Sequence, residues 1–413
     1  MNTAILPWER DILRERARLQ REYAESPENE IILAKWQAQA EGRRDTPTVR
    51  LLFSNFYHEV VSPRLKCESD AARMLESTLL GRLVGRELFE DDTPISPTFD
   101  LTWRIWAHPF NISPKISRAE DGSGGYHIDP VITDLETEFD KLEGATFGVD
   151  REATMRRREL AEDVFGDILP TRMVMDSLCG HITNPLVHLM GMEAYYLAMY
   201  DCPDKVHAVM EMGTSFFERF YDFLEEEKLL LPTNGISAVA QESFAFTDEL
   251  PSDNVTSTSQ CWGFLESQET TAVAPETFGE FVYSYQQRLV NRFGLLSYGC
   301  CERVDALWLD YLSKWDKLRK LSVSPFNNEQ LIGDYLRGSR IVYYSKPRAE
   351  LVTLPGNLDE QAIMKDFRRI SEAASGCLFE VAQREVGTIY GDFERGRRYV
   401  QLAREAIAGY WQP

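Results

Sequence analysis

From Thr46 to the C-terminus, short runs of β-forming residues alternate with long helix-patterned stretches, and this alternation limits the fold more than any other feature of the chain. Strands are expected at Thr48–Phe53, Pro97–Trp103, Thr171–Ser177, Gly235–Ala240, Leu295–Gly299, Arg319–Val323, Arg340–Tyr344 and Cys377–Glu385. Between them lie helical patterns such as Leu186–Tyr200, Asp204–Glu227, Pro275–Phe293, Val304–Trp315 and Asp359–Ala374. Pro203-Asp204 and Pro275-Glu276 supply the proline and first-turn acid that open helices. A strand followed by a helix returns the chain to the same edge of a parallel sheet. Eight such strands predict an α/β fold, a (β/α)8 barrel spanning residues 46–413. Residues 104–151 carry no clear helix and are rich in Gly, Pro and Asp, so a long loop or lid with short elements is expected there. Within it Asp121-Gly122-Ser123-Gly124-Gly125 is loop material. Residues 1–45 read as an N-terminal helical arm, its second helix opened by Ser26-Pro27-Glu28.

A barrel needs a large core, and 43% hydrophobic residues in 413 supply one. The formal net charge of −21 gives the chain no overall attraction for phosphate backbones or anionic lipid, so neither nucleic acid nor membrane is expected as a partner. The N-terminus is charged from Glu9 onward and has no apolar signal segment. The most apolar later stretch, Pro185–Tyr200, is interrupted by His188 and Glu193 and is too short for a bilayer. Seven scattered cysteines read as reduced thiols, which places the chain in the cytoplasm.

Function in such a barrel sits at the C-terminal ends of the strands. The most informative run there is Tyr298-Gly299-Cys300-Cys301-Glu302. Two thiols and a carboxylate are ligand types that zinc accepts, so Cys300, Cys301 and Glu302 are candidate metal ligands. The bland alternative is two small residues at a tight turn, with Glu302 capping the next helix. Along an extended strand adjacent side chains face opposite ways, so one of Cys300 and Cys301 is expected to face the barrel axis and the other the helix layer. His58 at the first strand end, Glu242 at the fourth and Lys346 at the seventh are candidate proton-transfer or substrate-binding residues. Glu380 on the last strand, Tyr298, and Glu266 in an insertion after the fourth strand are candidate substrate contacts. Glu380 shares a face with Arg384, which makes a structural ion pair the competing explanation. No G-x-G-x-x-G, G-x-x-x-x-G-K-[ST] or G-x-S-x-G run is present, and no histidine pair has zinc-site spacing.

Those residues, with their surroundings, resemble the uroporphyrinogen decarboxylase superfamily, which also contains zinc-dependent corrinoid:thiol methyltransferases. The resemblance runs from about Thr46 to the end. Trp262-Gly263-Phe264-Leu265-Glu266-Ser267-Gln268-Glu269 carries it, with Ala274-Pro275-Glu276-Thr277-Phe278 and the Tyr-Gly-Cys-Cys-Glu run. It continues in Leu321-Ser322-Val323-Ser324-Pro325, Ser345-Lys346-Pro347 and Cys377–Glu385. It implies a single (β/α)8 barrel. The decarboxylase's arginine-rich R-Q-A-G-R segment is replaced by Phe53-Ser54-Asn55-Phe56-Tyr57-His58, which disfavours a polycarboxylate substrate. The methyltransferases' H-x-C pair is matched only at Cys300, with Tyr298 in place of the histidine.

The resemblance therefore implies a methyltransferase-like enzyme in which zinc activates a small-molecule acceptor. The corrinoid is supplied by a separate partner protein, because no corrinoid-binding domain is visible; a homodimer is a further expected assembly. A metal-independent decarboxylase or lyase, with Lys346 in its proton relay, is the second reading. A barrel that binds a small molecule without catalysis is the third.

Overall fold

The computed structural model describes residues 4–118 and 126–413. The loop sequence Asp121–Gly125 lies outside them. Seven parallel strands form one sheet: β1 (Thr48–Leu51), β4 (Leu178–Cys179), β5 (Trp262–Leu265), β6 (Leu295–Tyr298), β7 (Leu318–Val323), β8 (Val342–Ser345) and β9 (Leu378–Gln383). Their order across the sheet is β1-β9-β8-β7-β6-β5-β4. Two further strands, β2 (Phe99–Thr102) and β3 (Thr171–Val174), form a separate parallel pair. Among the described residues no ladder joins β1 to β2, so hydrogen bonding does not close the expected barrel. The strands of the large sheet are buried along nearly their whole length, as parallel strands covered on both faces must be.

Three expected strands are not part of the large sheet: 97–103 and 171–177 supply the separate β2–β3 pair, and the third forms no parallel strand at all. Residues 235–240 enter a short antiparallel hairpin, Ala238–Val239 against Ser243–Phe244, and the fourth full-length position is taken by β5 instead. At the hairpin tip Ala240, Gln241 and Glu242 all have positive φ, at 43°, 39° and 73°. Side chains rarely tolerate that conformation, and it persists where neighbours fix it. Here Arg50 donates to the Glu242 carbonyl, and the Tyr344 hydroxyl donates to the Gln241 carbonyl at 3.0 Å.

The N-terminal helices α1 (Pro7–Ala24) and α2 (Pro27–Ala40) form as the sequence predicts, the Ser26 side chain accepting the Asn29 amide. Trp36 of α2 packs edge-on against Phe244, with ring centroids 5.1 Å apart, so the arm and the hairpin share one small core. Residues 104–151 form short elements: Ile105–His108 pairs antiparallel with Thr146–Val149, and Lys115–Arg118 with Tyr126–Asp129. No helix among the described residues is long and apolar enough to cross a membrane.

Candidate active site

The thiol pair sits on a turn and not on a strand. β6 ends at Tyr298, and Gly299 takes φ +100°, which only glycine adopts without strain. The chain leaves the extended conformation there, so the expected alternation of Cys300 and Cys301 does not apply. Their sulfurs lie 3.7 Å apart, and both residues line one cavity of about 240 Å³. Lys346, at the end of β8, lines the same cavity, is buried, and donates to the Cys300 carbonyl at 3.2 Å. Arg384 joins them, its buried Nε without a hydrogen-bond partner. Ser322 and Ser324 donate to the carbonyls of Cys300 and Cys301 at 3.0 and 3.2 Å, which fixes the turn from the neighbouring strand.

Glu302 holds the turn from inside. It is 1% exposed, and its carboxylate accepts the Cys300 amide at 2.6 Å and the Ser267 amide at 2.9 Å. It therefore ties the end of β6 to the end of β5. Burial raises its pKa while the amides oppose that rise. Tyr298 is fully buried, its hydroxyl 2.9 Å from Ser267 Oγ, so it supports the turn and meets no cavity described here.

Electrostatics separates the two thiols. The hydrogen bond from Cys300, helped by the Lys346 charge, brings the Cys301 thiol down to about 7 against the opposing effect of burial. The same hydrogen bond, with burial, pushes Cys300 up. Burial lowers the Lys346 ammonium. One thiol is thus partly ionised near neutral pH, and its neighbour serves as donor.

A second cavity, of about 470 Å³, opens beside the ends of β3 and β4. Trp103, Met175, Phe217 and Phe220 form part of its wall, with Asp176, Cys179 and His181 as polar members. Behind His181 lies Glu266, which directly follows β5 at the end of a sheet strand and not in an insertion. His181 Nδ1 is 3.5 Å from Glu266 Oε1. Burial, then the charges of Glu269 and Glu302, push the Glu266 carboxyl well above the usual carboxylate range. Burial brings His181 down to about 4, so its ring is neutral. Glu269 is positioned by Thr183 Oγ1 and Asn184 Nδ2, each 2.8 Å away. His181 thus stands between the cavity and a buried acid, and its Nδ1 makes no hydrogen bond among the described residues.

The remaining sequence candidates lie elsewhere. His58 is exposed on a short helix after β1, with Glu59 3.8 Å away. Glu242, on the hairpin tip, borders a cavity of about 200 Å³ at the β1–β2 seam. Glu380 sits half-way along β9, fully buried, and accepts from Lys320 at 3.0 Å and Ser243 at 2.9 Å. Its partner is Lys320, not Arg384, and the pair anchors the hairpin to the sheet. His181, Glu269 and Cys179 were not singled out by the sequence. The usable signal was His181 two residues beyond a strand end, hidden because the third strand is broken between Val174 and Leu178.

Cys300, Cys301 and Glu302 do not fit a zinc ion as arranged. Both Glu302 oxygens are committed to backbone amides. Among the described residues no three His, Cys, Asp or Glu side chains converge on one point. Tetrahedral zinc needs three or four such ligands.

No family model matches the sequence, and no curated protein matches it significantly. Among solved structures, a methyltransferase from Methanosarcina mazei has a similar architecture, with a TM-score of 0.52 at 12% identity. The match covers 91% of this chain and 99% of that one. At this identity the likeness is one of fold.

Proposed function

We propose that this chain is a methyltransferase-type enzyme of the uroporphyrinogen decarboxylase-like kind, acting on a small molecule bound in the His181 cavity. In this reading β3 and β4 are one interrupted strand, and the eight parallel positions make a (β/α)8 barrel whose β1–β2 seam is filled by the hairpin. The observation that carries the reading is the pair of Glu266 and His181: a buried acid 3.5 Å from a histidine on a cavity wall. Methyl transfer from a heteroatom breaks the heteroatom–methyl bond and leaves the electron pair on the heteroatom. That atom must then take a proton. His181 delivers it and is reprotonated by Glu266, which becomes a carboxylate. The methyl carbon forms its new bond to a nucleophile on a carrier, and a corrinoid held by a separate protein is the class of carrier we propose. No step is routed through zinc.

A decarboxylase or lyase is the second reading. It is favoured by Lys346 and Arg384, two cationic side chains at the smaller cavity that suit a carboxylate. The test is turnover of a panel of carbon-13-methyl-labelled ethers with fully reduced free corrinoid as acceptor. Labelled methylcorrinoid formed by the wild type and lost in Glu266→Gln is the expected result. Release of CO₂ from carboxylated substrates, with no methyl transfer from any donor, would overturn it in favour of the lyase.

A further inference from the structure

We propose that the 470 Å³ cavity selects an uncharged, ring-sized apolar substrate carrying one methylated heteroatom, and that it excludes anions. The inference deepens the methyltransferase reading and rests on it for the role of Glu266.

The cavity has the size of a small-ligand site. Its walls at Trp103, Phe217, Phe220 and Leu224 are apolar, and the first three offer aromatic surface to a planar ring. No lysine or arginine is among the lining residues, whereas Asp176 is, and it is exposed. Asp176 is anchored by the Ala238 amide, which donates to its Oδ1 at 3.1 Å. One neighbouring cation, Arg151, stands over the Trp103 ring at 5.7 Å and is engaged by the Glu227 side chain at 3.1 Å. An anion placed here would lose its hydration and gain no opposite charge, while facing a carboxylate. The cations at the strand ends, Lys346 and Arg384, line the other cavity.

A permanent cation would also suit Asp176 and aromatic walls. The acid behind His181 decides between the two. A quaternary ammonium leaves as a neutral amine once its methyl group is gone, with no proton required. An ether oxygen leaves as an alkoxide unless it is protonated, and Glu266, 3.5 Å behind the cavity-lining His181, is the acid placed to supply that proton.

Equilibrium dialysis with three probes of one shape tests the assignment: anisole, 4-methoxybenzoate and phenyltrimethylammonium. Anisole should be retained, and 4-methoxybenzoate should bind at least ten-fold more weakly. Asp176→Asn should narrow that gap several-fold. Met175→Trp, which puts an indole into the cavity, should weaken anisole retention several-fold while the circular dichroism spectrum stays that of the wild type. The proposal is overturned if 4-methoxybenzoate binds as well as anisole, if phenyltrimethylammonium binds ten-fold better, or if Met175→Trp leaves anisole binding intact. Anisole binding does not depend on turnover. Retention without methyl transfer from any donor therefore overturns the methyltransferase reading and leaves the anion exclusion standing.

Discussion

Replacing Cys300 with alanine removes the donor that brings Cys301 down to about 7. Without it, burial returns the thiol to its ordinary value of 9.0 or above. At pH 7 the thiolate fraction then falls from about one half to about one in a hundred, roughly 50-fold. The more basic thiolate is intrinsically more nucleophilic, and a Brønsted slope of about 0.4–0.5 over two pKa units returns roughly ten-fold. The net expectation is an alkylation rate at Cys301 about five-fold lower at pH 7. The midpoint of the pH–rate curve should move from about 7 to about 9 or higher. Iodoacetamide labelling followed by peptide mass spectrometry reads both quantities. Burial holds Cys67 and Cys261 up at about 12 and Cys377 at about 11, and peptide mapping separates Cys301 from the more accessible Cys179 and Cys202. An unchanged midpoint in Cys300→Ala would refute the hydrogen-bonded thiol pair.

Glu302→Ala leaves the buried amides of Cys300 and Ser267 without an acceptor, at about 1–3 kcal/mol each, so urea denaturation should show a loss of about 2–6 kcal/mol. Lys320→Met leaves Glu380 charged and unpaired in the interior and should cost about 3–5 kcal/mol, most of it recovered by adding Glu380→Leu. Additive losses in that double variant would contradict a buried ion pair. His181 makes stability pH-dependent with a defined sign. Its folded pKa of about 4 lies below the unfolded 6.5, so between these values the unfolded chain binds a proton that the folded chain does not. Acidification through that window should remove about 3 kcal/mol from the wild type and not from His181→Asn. Parallel stability curves for the two proteins would show that His181 is not held neutral.

Much of the architecture was legible because parallel strands are short, apolar and followed by helices. Leu318–Val323 and Leu378–Gln383 fall inside or within one residue of the expected segments. Trp262–Leu265 was missed for a physical reason. It is four residues long and contains Gly263, which packing demands, since a Cβ there would lie 2.0 Å from the Phe293 ring. A glycine weakens any strand reading, and Gly235–Ala240 took the fourth place instead. That error displaced Glu266 from a strand end into an insertion and put Glu242 at a strand end it does not occupy. The cysteine run was legible as a site, but its geometry was not. Alternation holds only while the strand lasts, and the positive φ of Gly299 ends it one residue before the thiols. Lys320 could not have been paired with Glu380 from sequence, because 60 residues separate them and only the β7–β8–β9 register brings them together.

The central claim is that the buried Glu266, raised well above the usual carboxylate range, serves as the proton donor behind His181. Difference infrared spectroscopy of wild type against Glu266→Gln measures it directly. A protonated-carboxyl stretching band should be present at pH 7 in the wild type, absent in the variant, and lost from the wild type only on raising the pH well above the usual carboxylate range. A wild-type spectrum with no such band at pH 7, and carboxylate bands in its place, would contradict the acid–histidine relay and the methyl transfer built on it.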